Sequence, residues 1–305
     1  MESLDNQIMQ TRNRLRDATT ALLDLARLRI TFMVVISCAV GFVLAFKDNF
    51  DSVRFASALL GTGLLSSGGC AINCFIERDL DAMMPRTANR PIPSGMISPG
   101  AALLYGIFLI ISGTLLLFTF NNMLCTLLGL AAAAIYLGLY TPAKRLTWLN
   151  TSIGAVPGAI PPLIGWAAAS GEIGLGGWIL FAILFIWQHT HFLPIAWLFK
   201  EDYKIAGFKM LPSLDNSTEK TFALTIATAV VLLPLSAMLC HAGNPSAGPS
   251  YLFASLLGGL TLIVTSVQWK NNPSRKAART VLLMSVLYLP AVFAAVVLDR
   301  VCGWT

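Results

Sequence analysis

The sequence predicts an all-α polytopic membrane protein whose nine transmembrane helices form one bundle. Two observations lead to this fold class. Hydrophobic residues make up 56% of the 305 residues and charged residues only 12%, whereas soluble domains contain roughly 25% charged residues. In addition, nine apolar segments approach or reach the ~20 residues that a helix needs to cross the hydrocarbon core of a bilayer.

The nine predicted spans cover most of the chain. The fifth span contains glycines and prolines inside its apolar run, which a membrane tolerates where neighbouring groups satisfy the freed backbone. We expect residues 1–27 to form a cytoplasmic N-terminal segment and residues 28–300 to form a single membrane domain. In chain order, the spans lie near residues 28–46, 53–74, 101–120, 123–140, 150–170, 175–199, 220–240, 250–269 and 278–299.

The distribution of basic residues predicts the orientation of the bundle. Most of the 21 lysines and arginines fall in the N-terminal segment or in the even-numbered loops, and only Lys47, Arg54 and Arg300 lie on the opposite side. This bias places the N-terminus and the even-numbered loops in the cytoplasm. Because topology accounts for the net charge of +6, we expect the lipid bilayer and no nucleic acid as a partner. Acidic residues within the first 27 positions disfavour a mitochondrial presequence, which favours a bacterial cytoplasmic (inner) membrane.

A dense charged cluster, NCFIERDLDAMMPRTANRPIPSG, follows the second span. Asn73, Glu77 and Asp81 are spaced four apart, so a continuing helix would carry all three on one face, whereas Asp79 would point away. Neighbouring carboxylates repel each other, and a magnesium ion would relieve this repulsion because it prefers oxygen ligands and substrate phosphates. A solvated helix end with local ion pairs is the alternative. The concentration of acids beside hydrocarbon favours a functional site.

The sixth loop contains a second cluster of charges, KEDYKIAGFKMLPSLD. Its Asp202 follows the sixth span on the same side of the membrane as the first cluster. Two acidic loops on one face could hold two magnesium ions around one diphosphate. Basic residues of the two loops could then bind the outer phosphate oxygens; these are Arg78, Arg86, Arg90 and Lys204.

Three further residues could contribute to a site within the spans. Tyr140 and Lys144 lie one helical turn apart, so the lysine could reach phosphate while the ring faces a developing cation. Spacing alone slightly favours an interfacial tyrosine with a snorkelling lysine. His191 and its neighbour His189 point in different directions on a helix and cannot chelate one ion together. One of them could ligate haem iron, or each could hydrogen-bond a neighbouring helix; both interpretations remain open.

At these residues the chain resembles the protoheme IX farnesyltransferase family, within the superfamily of intramembrane aromatic prenyltransferases. The superfamily motif N-x-x-x-D-x-x-x-D falls on Asn73, Glu77 and Asp81, and its Y-x-x-x-K element falls on Tyr140 and Lys144. This second match favours the functional interpretation of Tyr140. Stretches closer to the family lie at Arg78 to Pro91, at Pro161 to Trp166, at Asp202 to Pro212, and at Trp187, His191 and Phe192.

The chain also departs from the family pattern. Glu77 stands where an aspartate is usual, which keeps the charge and lengthens the side chain by one methylene. Thr190 and Leu28 replace prolines. The second D-x-x-x-D motif is reduced to Asp202, with Glu201 beside it, so the ligands of a second metal ion stay open.

The resemblance implies a nine-helix bundle around a central cavity and a magnesium-dependent enzyme. Farnesyl diphosphate would place its head group at the cytoplasmic acids and its tail among the apolar spans. Ionisation would give an allylic cation, which a vinyl group of haem B attacks before water adds, giving haem O. The implied metal ligands are Asn73, Glu77, Asp81 and Asp202; His191 would contact the haem. A haem A synthase or a terminal oxidase assembly factor would receive the product.

Other functions fit some of the same features. A prenyltransferase acting on a quinone or chlorophyll precursor would share the acids, but His191 and the D-Y-x-x-A-G stretch weigh against it. An ion-coupled transporter would place its acids near the middle of the bilayer, whereas Glu77, Asp81 and Asp202 lie at one boundary. A haem-binding assembly factor without catalytic activity is a further alternative.

Overall fold

The structure is a computed structural model that describes residues 19–46, 50–215, 218–242 and 247–304, and all regular secondary structure within these ranges is helical. Nine of its helical segments are long and apolar enough to cross a membrane. The predicted fold class is therefore confirmed. Most of the N-terminal segment lies outside the described residues, as does Lys47, so their predicted cytoplasmic and opposite-side positions stay predictions.

Fourteen α-helices between Leu28 and Val301, with one π-helical segment and one 3₁₀ turn, build the bundle that the structure describes. Three short helices lie in the loops: α3 (Arg78–Met83), α10 (Lys200–Ile205) and α11 (Leu211–Leu214). The first six spans are formed by α1 (Leu28–Ala45), α2 (Ser52–Ile76), α4 (Pro99–Phe120), α5 (Met123–Ala134) with the π segment (Ile135–Tyr140) and α6 (Thr141–Leu146), α7 (Asn150–Ala159) with α8 (Pro161–Ser170), and α9 (Leu175–Leu198). The last three are α12 (Glu219–Met238) with the 3₁₀ turn (Leu239–His241), α13 (Pro249–Asn271) and α14 (Arg275–Val301).

Glycines bring α2 and α4 into close contact. A Cβ added at Gly68 would lie 2.6 Å from the carbonyl oxygen of Gly106, and one added at Gly113 would lie 2.6 Å from that of Gly61. Small residues let membrane helices approach closely, so that dispersion contacts replace the hydrophobic driving force that lipid cannot supply. This contact holds α2, which carries the acidic motif, against the rest of the bundle.

The fourth span departs from the prediction because it continues as helix to Leu146 rather than ending near residue 140. Its middle winds as a π-helix, where the Thr141 backbone N–H donates to the carbonyl of Tyr136. The Thr141 hydroxyl donates to the same carbonyl at 2.9 Å and accepts from Asn73 of α2 at 3.1 Å. Such π segments frequently mark functional sites, and this one sets the direction of two tyrosine rings.

At the opposite end of the bundle, an acidic side chain joins the last two spans. The Asp299 carboxylate of α14 is fully buried and accepts from the backbone N–H groups of Ser250 and Tyr251 at 3.0 and 2.8 Å. It thereby caps the first turn of α13, where free N–H groups and the helix dipole favour a negative charge. This buried acid therefore has a structural role, which is to cap the N-terminus of α13.

Candidate functional site

A cavity of about 900 Å³ opens at the end of the bundle where α2 passes into α3. Its polar end contains Glu77, Asp81, Arg86, Arg90 and Lys144, and its deeper wall is formed mostly by apolar and small residues of α1, α2, α5, α7 and α8. The cavity therefore combines an ionic mouth with an apolar interior. That combination suits a substrate with a charged head and a hydrocarbon tail.

Glu77 pairs with Lys144 at the polar end. Helix α2 ends at Ile76, and Glu77 adopts φ −93° and ψ 6° between α2 and α3, while the i to i−4 backbone hydrogen bonds continue through it. Its carboxylate lies 2.7 Å from the Lys144 ammonium, and the two side chains are only 6% and 13% exposed. A buried carboxylate and a buried cation thus neutralise each other beside the cavity.

Asp81 pairs with Arg90 in the same way. The guanidinium nitrogen Nη1 donates to both carboxylate oxygens of Asp81, at 2.7 Å to Oδ1 and 2.6 Å to Oδ2, and such charge-assisted hydrogen bonds are short and strong. Glu77 and Asp81 both line the cavity, and Asp79 is exposed, with its side chain 83% accessible. The predicted shared face of Glu77 and Asp81 is therefore present despite the change of helix at Glu77.

Asn73 lies behind the cavity wall. It is fully buried, and its side-chain amide donates to Thr141 while its oxygen Oδ1 has no hydrogen-bond partner. Two carboxylates and an unpaired amide oxygen are the donor set that magnesium accepts, since this ion typically uses one or two carboxylates plus substrate phosphates. The residues present therefore fit a magnesium site. A cluster of three or more acidic, histidine or cysteine ligands is absent from the described residues.

Arg86 links the two charged loops. Its guanidinium donates to the Tyr203 hydroxyl at 3.1 Å and lies over the rings of Phe199 and Tyr203, at 4.6 and 5.3 Å from their centroids. The sixth loop therefore contributes Tyr203 and aromatic contacts to the cavity mouth. These contacts hold Arg86 in place without neutralising its charge.

Two stacked tyrosines lie in the cavity wall next to the ionic mouth. The rings of Tyr136 and Tyr140 lie 5.6 Å apart at an angle of 28°, and the Lys144 ammonium lies 4.6 Å from the Tyr140 ring centroid. Both tyrosines line the cavity. Tyr136 was not identified from the sequence, although its spacing of four residues before Tyr140 was a visible signal.

Besides Asn73, four predicted site residues do not line the cavity. Arg78 turns back to the carbonyl of Phe75 at 2.9 Å, because that carbonyl is left free near the end of α2. Asp202, Lys204 and His191 are likewise absent from the cavity wall. In the short helix α10, Tyr203 occupies the cavity side, so its neighbours Asp202 and Lys204 face elsewhere.

The two histidines make contacts with neighbouring helices. His191 lies 2.9 Å from the Ser285 hydroxyl of α14 and stacks on Trp187 at 4.8 Å between centroids. His189 lies 2.9 Å from Ser152 and 2.8 Å from the carbonyl of Phe185. Of the two interpretations, these contacts favour hydrogen bonding between helices, and the predicted contact of His191 with haem has no support from its position.

Two further polar residues of the cavity wall were not identified from the sequence. Arg27 has an unusual left-handed backbone (φ 47°) just before α1 and donates to the Cys74 sulfur at 3.5 Å. Gln188 of α9 lies on the cavity wall although it is only 6% exposed. No spacing motif contains either residue, so only the packing of the helices reveals them.

Comparison with known proteins agrees with this architecture. The model of the UbiA prenyltransferase family matches residues 34–287. Among solved structures, a digeranylgeranylglyceryl phosphate synthase has a TM-score of 0.76 at 18% identity, covering 93% of this chain and 99% of that one. A UbiA homologue from Archaeoglobus fulgidus bound to GPP and Mg²⁺ has a TM-score of 0.67 at 19% identity, covering 91% and 99%. At these identities the likeness shows the fold.

Sequence relatives are much closer. A protoheme IX farnesyltransferase from Solibacter usitatus is 41% identical over 91% of this chain and 98% of its own length. One from Cytophaga hutchinsonii is 37% identical, covering 92% and 98%. The resemblance inferred from the motifs is thereby confirmed, and the chain belongs to the UbiA prenyltransferase family.

Proposed function

We propose that this chain transfers the farnesyl group of farnesyl diphosphate to a vinyl group of haem B, with addition of water, to give haem O. The observation that carries this proposal is a cavity with buried acids and cations at its mouth, followed by two tyrosine rings and an apolar interior. The curated relatives named protoheme IX farnesyltransferase support the choice of substrates.

The acids of the mouth are proposed to hold magnesium. Glu77 and Asp81 supply carboxylates, and Asn73 supplies the unpaired amide oxygen behind them. Bound magnesium stabilises the negative charge that develops on the departing diphosphate. Solved UbiA homologues bound to Mg²⁺ and to Cd²⁺ support the use of a divalent cation. Asp202 lies off the cavity wall, so its predicted role as a ligand has no geometric support.

The cations of the mouth are proposed to bind the diphosphate. Lys144, Arg86 and Arg90 line the cavity together, and charge-assisted hydrogen bonds from such groups strengthen as the leaving oxygen becomes negative. Arg78 and Lys204, which were predicted for the same role, do not line the cavity. The two loops therefore contribute unequally to the head-group site.

The tyrosine pair is proposed to stabilise the allylic cation. The faces of Tyr136 and Tyr140 present negative electrostatic potential toward the cavity, and cation–π attraction increases when water is excluded. The mostly apolar wall excludes bulk water and so limits premature hydrolysis to farnesol. The cytoplasmic orientation of this mouth, a bacterial inner membrane and a partner that receives haem O stay predictions from the sequence.

Incubation of the purified protein with haem B, farnesyl diphosphate and magnesium tests the function directly. Mass analysis of the porphyrin should show the gain of a farnesyl group and one water molecule. Chelation of divalent metal should stop the reaction, and added magnesium should restore it. Prenylation of a quinone precursor in the same assay, with unchanged haem B, would overturn the proposal.

A further inference from the structure

Gln188 is a polar side chain in the deeper wall of the cavity. It projects from α9 beside apolar and small residues of α7 and α8, and is only 6% exposed. Its amide nitrogen donates to two backbone carbonyls at 3.1 Å, those of Ala155 on α7 and Leu184 on α9 itself. Both hydrogens of the amide are therefore used by the protein.

These two donor bonds set the direction of the amide. Rotating the group by half a turn would place its oxygen against two carbonyl oxygens, which repel it, so the nitrogen must face them. The oxygen Oε1 then faces the other way, toward Gly158, and the side-chain hydrogen bonds of Gln188 within the described residues both come from its nitrogen. The side chain is mostly buried and lines the cavity, so a rigidly held acceptor at its end is suited to a donor that enters the cavity.

Two glycines of α7 place this oxygen close to the tyrosine pair. A Cβ added at Gly154 would lie 2.6 Å from the Tyr140 ring, and a Cβ added at Gly158 would collide with Oε1 of Gln188. The two glycines are one turn apart on the same face of the helix, a separation of about 6 Å along its axis. Gln188 therefore lies about one helical turn deeper in the bundle than Tyr140.

We propose that Oε1 of Gln188 is the positioning group for the water molecule that adds during haem O formation. The proposal rests on the function proposed above and assigns a residue to its last step. Water is a donor of the right size, and an acceptor within a mostly apolar wall would hold a single molecule with its lone pair directed at the reacting carbon. The amide is neutral, so it orients the water without attacking the cation.

The chemistry of this step balances with the substrates of the reaction. The bond between farnesyl C1 and the diphosphate oxygen breaks, and its electron pair leaves with the diphosphate. The π electrons of the vinyl group form the new carbon–carbon bond, which leaves positive charge on the carbon attached to the porphyrin. The held water donates a lone pair to that carbon, and the proton it loses passes to the released diphosphate.

Without a positioned water, the same cation would lose a proton to give an alkene. The farnesylated porphyrin would then be lighter than haem O by one water molecule. The ratio of the two products therefore reports on water positioning separately from the overall rate. A residue that only supports packing would change the amount of product and leave this ratio unaltered.

The experiment uses the full-length protein carrying Gln188→Met, which keeps a side chain of similar length and removes the acceptor. We expect the alkene to increase at least about tenfold relative to haem O, as read by mass analysis, with farnesyl diphosphate still consumed. Reaction in ¹⁸O-labelled water should label the haem O that remains. A product ratio equal to that of the unmodified protein would overturn the role of Gln188.

A second variant allows the proposal to be tested even if Gln188→Met is inactive. Gly158→Ala keeps the glutamine and pushes its oxygen out of place, and it should shift the ratio in the same direction. Gln268→Met makes the same chemical change on the exposed side of α13 and should leave the ratio unaltered. If both cavity variants form only haem O, the proposal fails although the function stands. If the unmodified protein forms no farnesylated haem, the function and the proposal both fail.

Discussion

Removal of the Lys144 ammonium is the sharpest perturbation of the mouth. In Lys144→Met, the Glu77 carboxylate stays buried with its side chain 6% exposed and loses the ammonium that neutralises it. Breaking a buried ion pair on one side costs about 3–5 kcal/mol of folding free energy. Loss of a preorganised charge at a developing anion also costs about 10²–10³ in turnover. We therefore expect both lower stability and nearly complete loss of farnesyl transfer.

The double variant Glu77→Gln with Lys144→Met separates the two effects. Because neither member of the pair is left as an unpaired charge, most of the lost stability should return, while turnover should stay low. Thermal unfolding in detergent and mass analysis of the porphyrin measure the two quantities. A double variant as unstable as the single one would refute the buried ion pair, and an active Lys144→Met would refute the head-group assignment.

An exposed ion pair provides the matched control for this series. Lys270 and Glu219 lie 3.6 Å apart with side chains 44% and 64% exposed. Exposed pairs contribute only about 0–1 kcal/mol because solvent screens them. Lys270→Met should therefore change the unfolding temperature by a few degrees at most and should retain farnesyl transfer.

Three further predictions test other parts of the structure. Arg86→Ala should weaken farnesyl diphosphate binding about 10- to 100-fold, the effect of about 1.5–3 kcal/mol for a charged hydrogen bond, whereas Arg78→Ala should not; equal effects in a binding titration would contradict the placement of these arginines. Tyr136→Leu should lower turnover at saturating substrate more than Tyr136→Phe does, since only leucine removes the π face; equal rates would exclude a cation–π contribution. Asp299→Ala should destabilise the fold by roughly 3–6 kcal/mol through loss of its two charge-assisted bonds, measured by thermal unfolding, with unchanged turnover per folded molecule; unchanged stability would contradict its capping role.

The sequence alone determined the membrane class, the nine spans and the acidic motif. Span length follows from the thickness of the hydrocarbon core, so hydropathy suffices to find a helix such as Leu175–Leu198. The four-residue spacing of Glu77 and Asp81 likewise predicted a shared face, because it depends only on local helix geometry. The extension of the fourth span to Leu146 was missed, since a polar TPAKR stretch resembles a loop.

Only the tertiary structure decided which charges meet. Glu77 and Lys144 are 67 residues apart, and the helix packing that brings them together leaves no local trace in the sequence. The same packing places His191 against Ser285 of α14 and leaves Asp202 off the cavity wall, although both matched the motifs. It also places Gln188, which is part of no recognised sequence motif, on the cavity wall. Side-chain direction in a bundle depends on neighbouring helices, and this dependence separates the predicted site residues that line the cavity from those that do not.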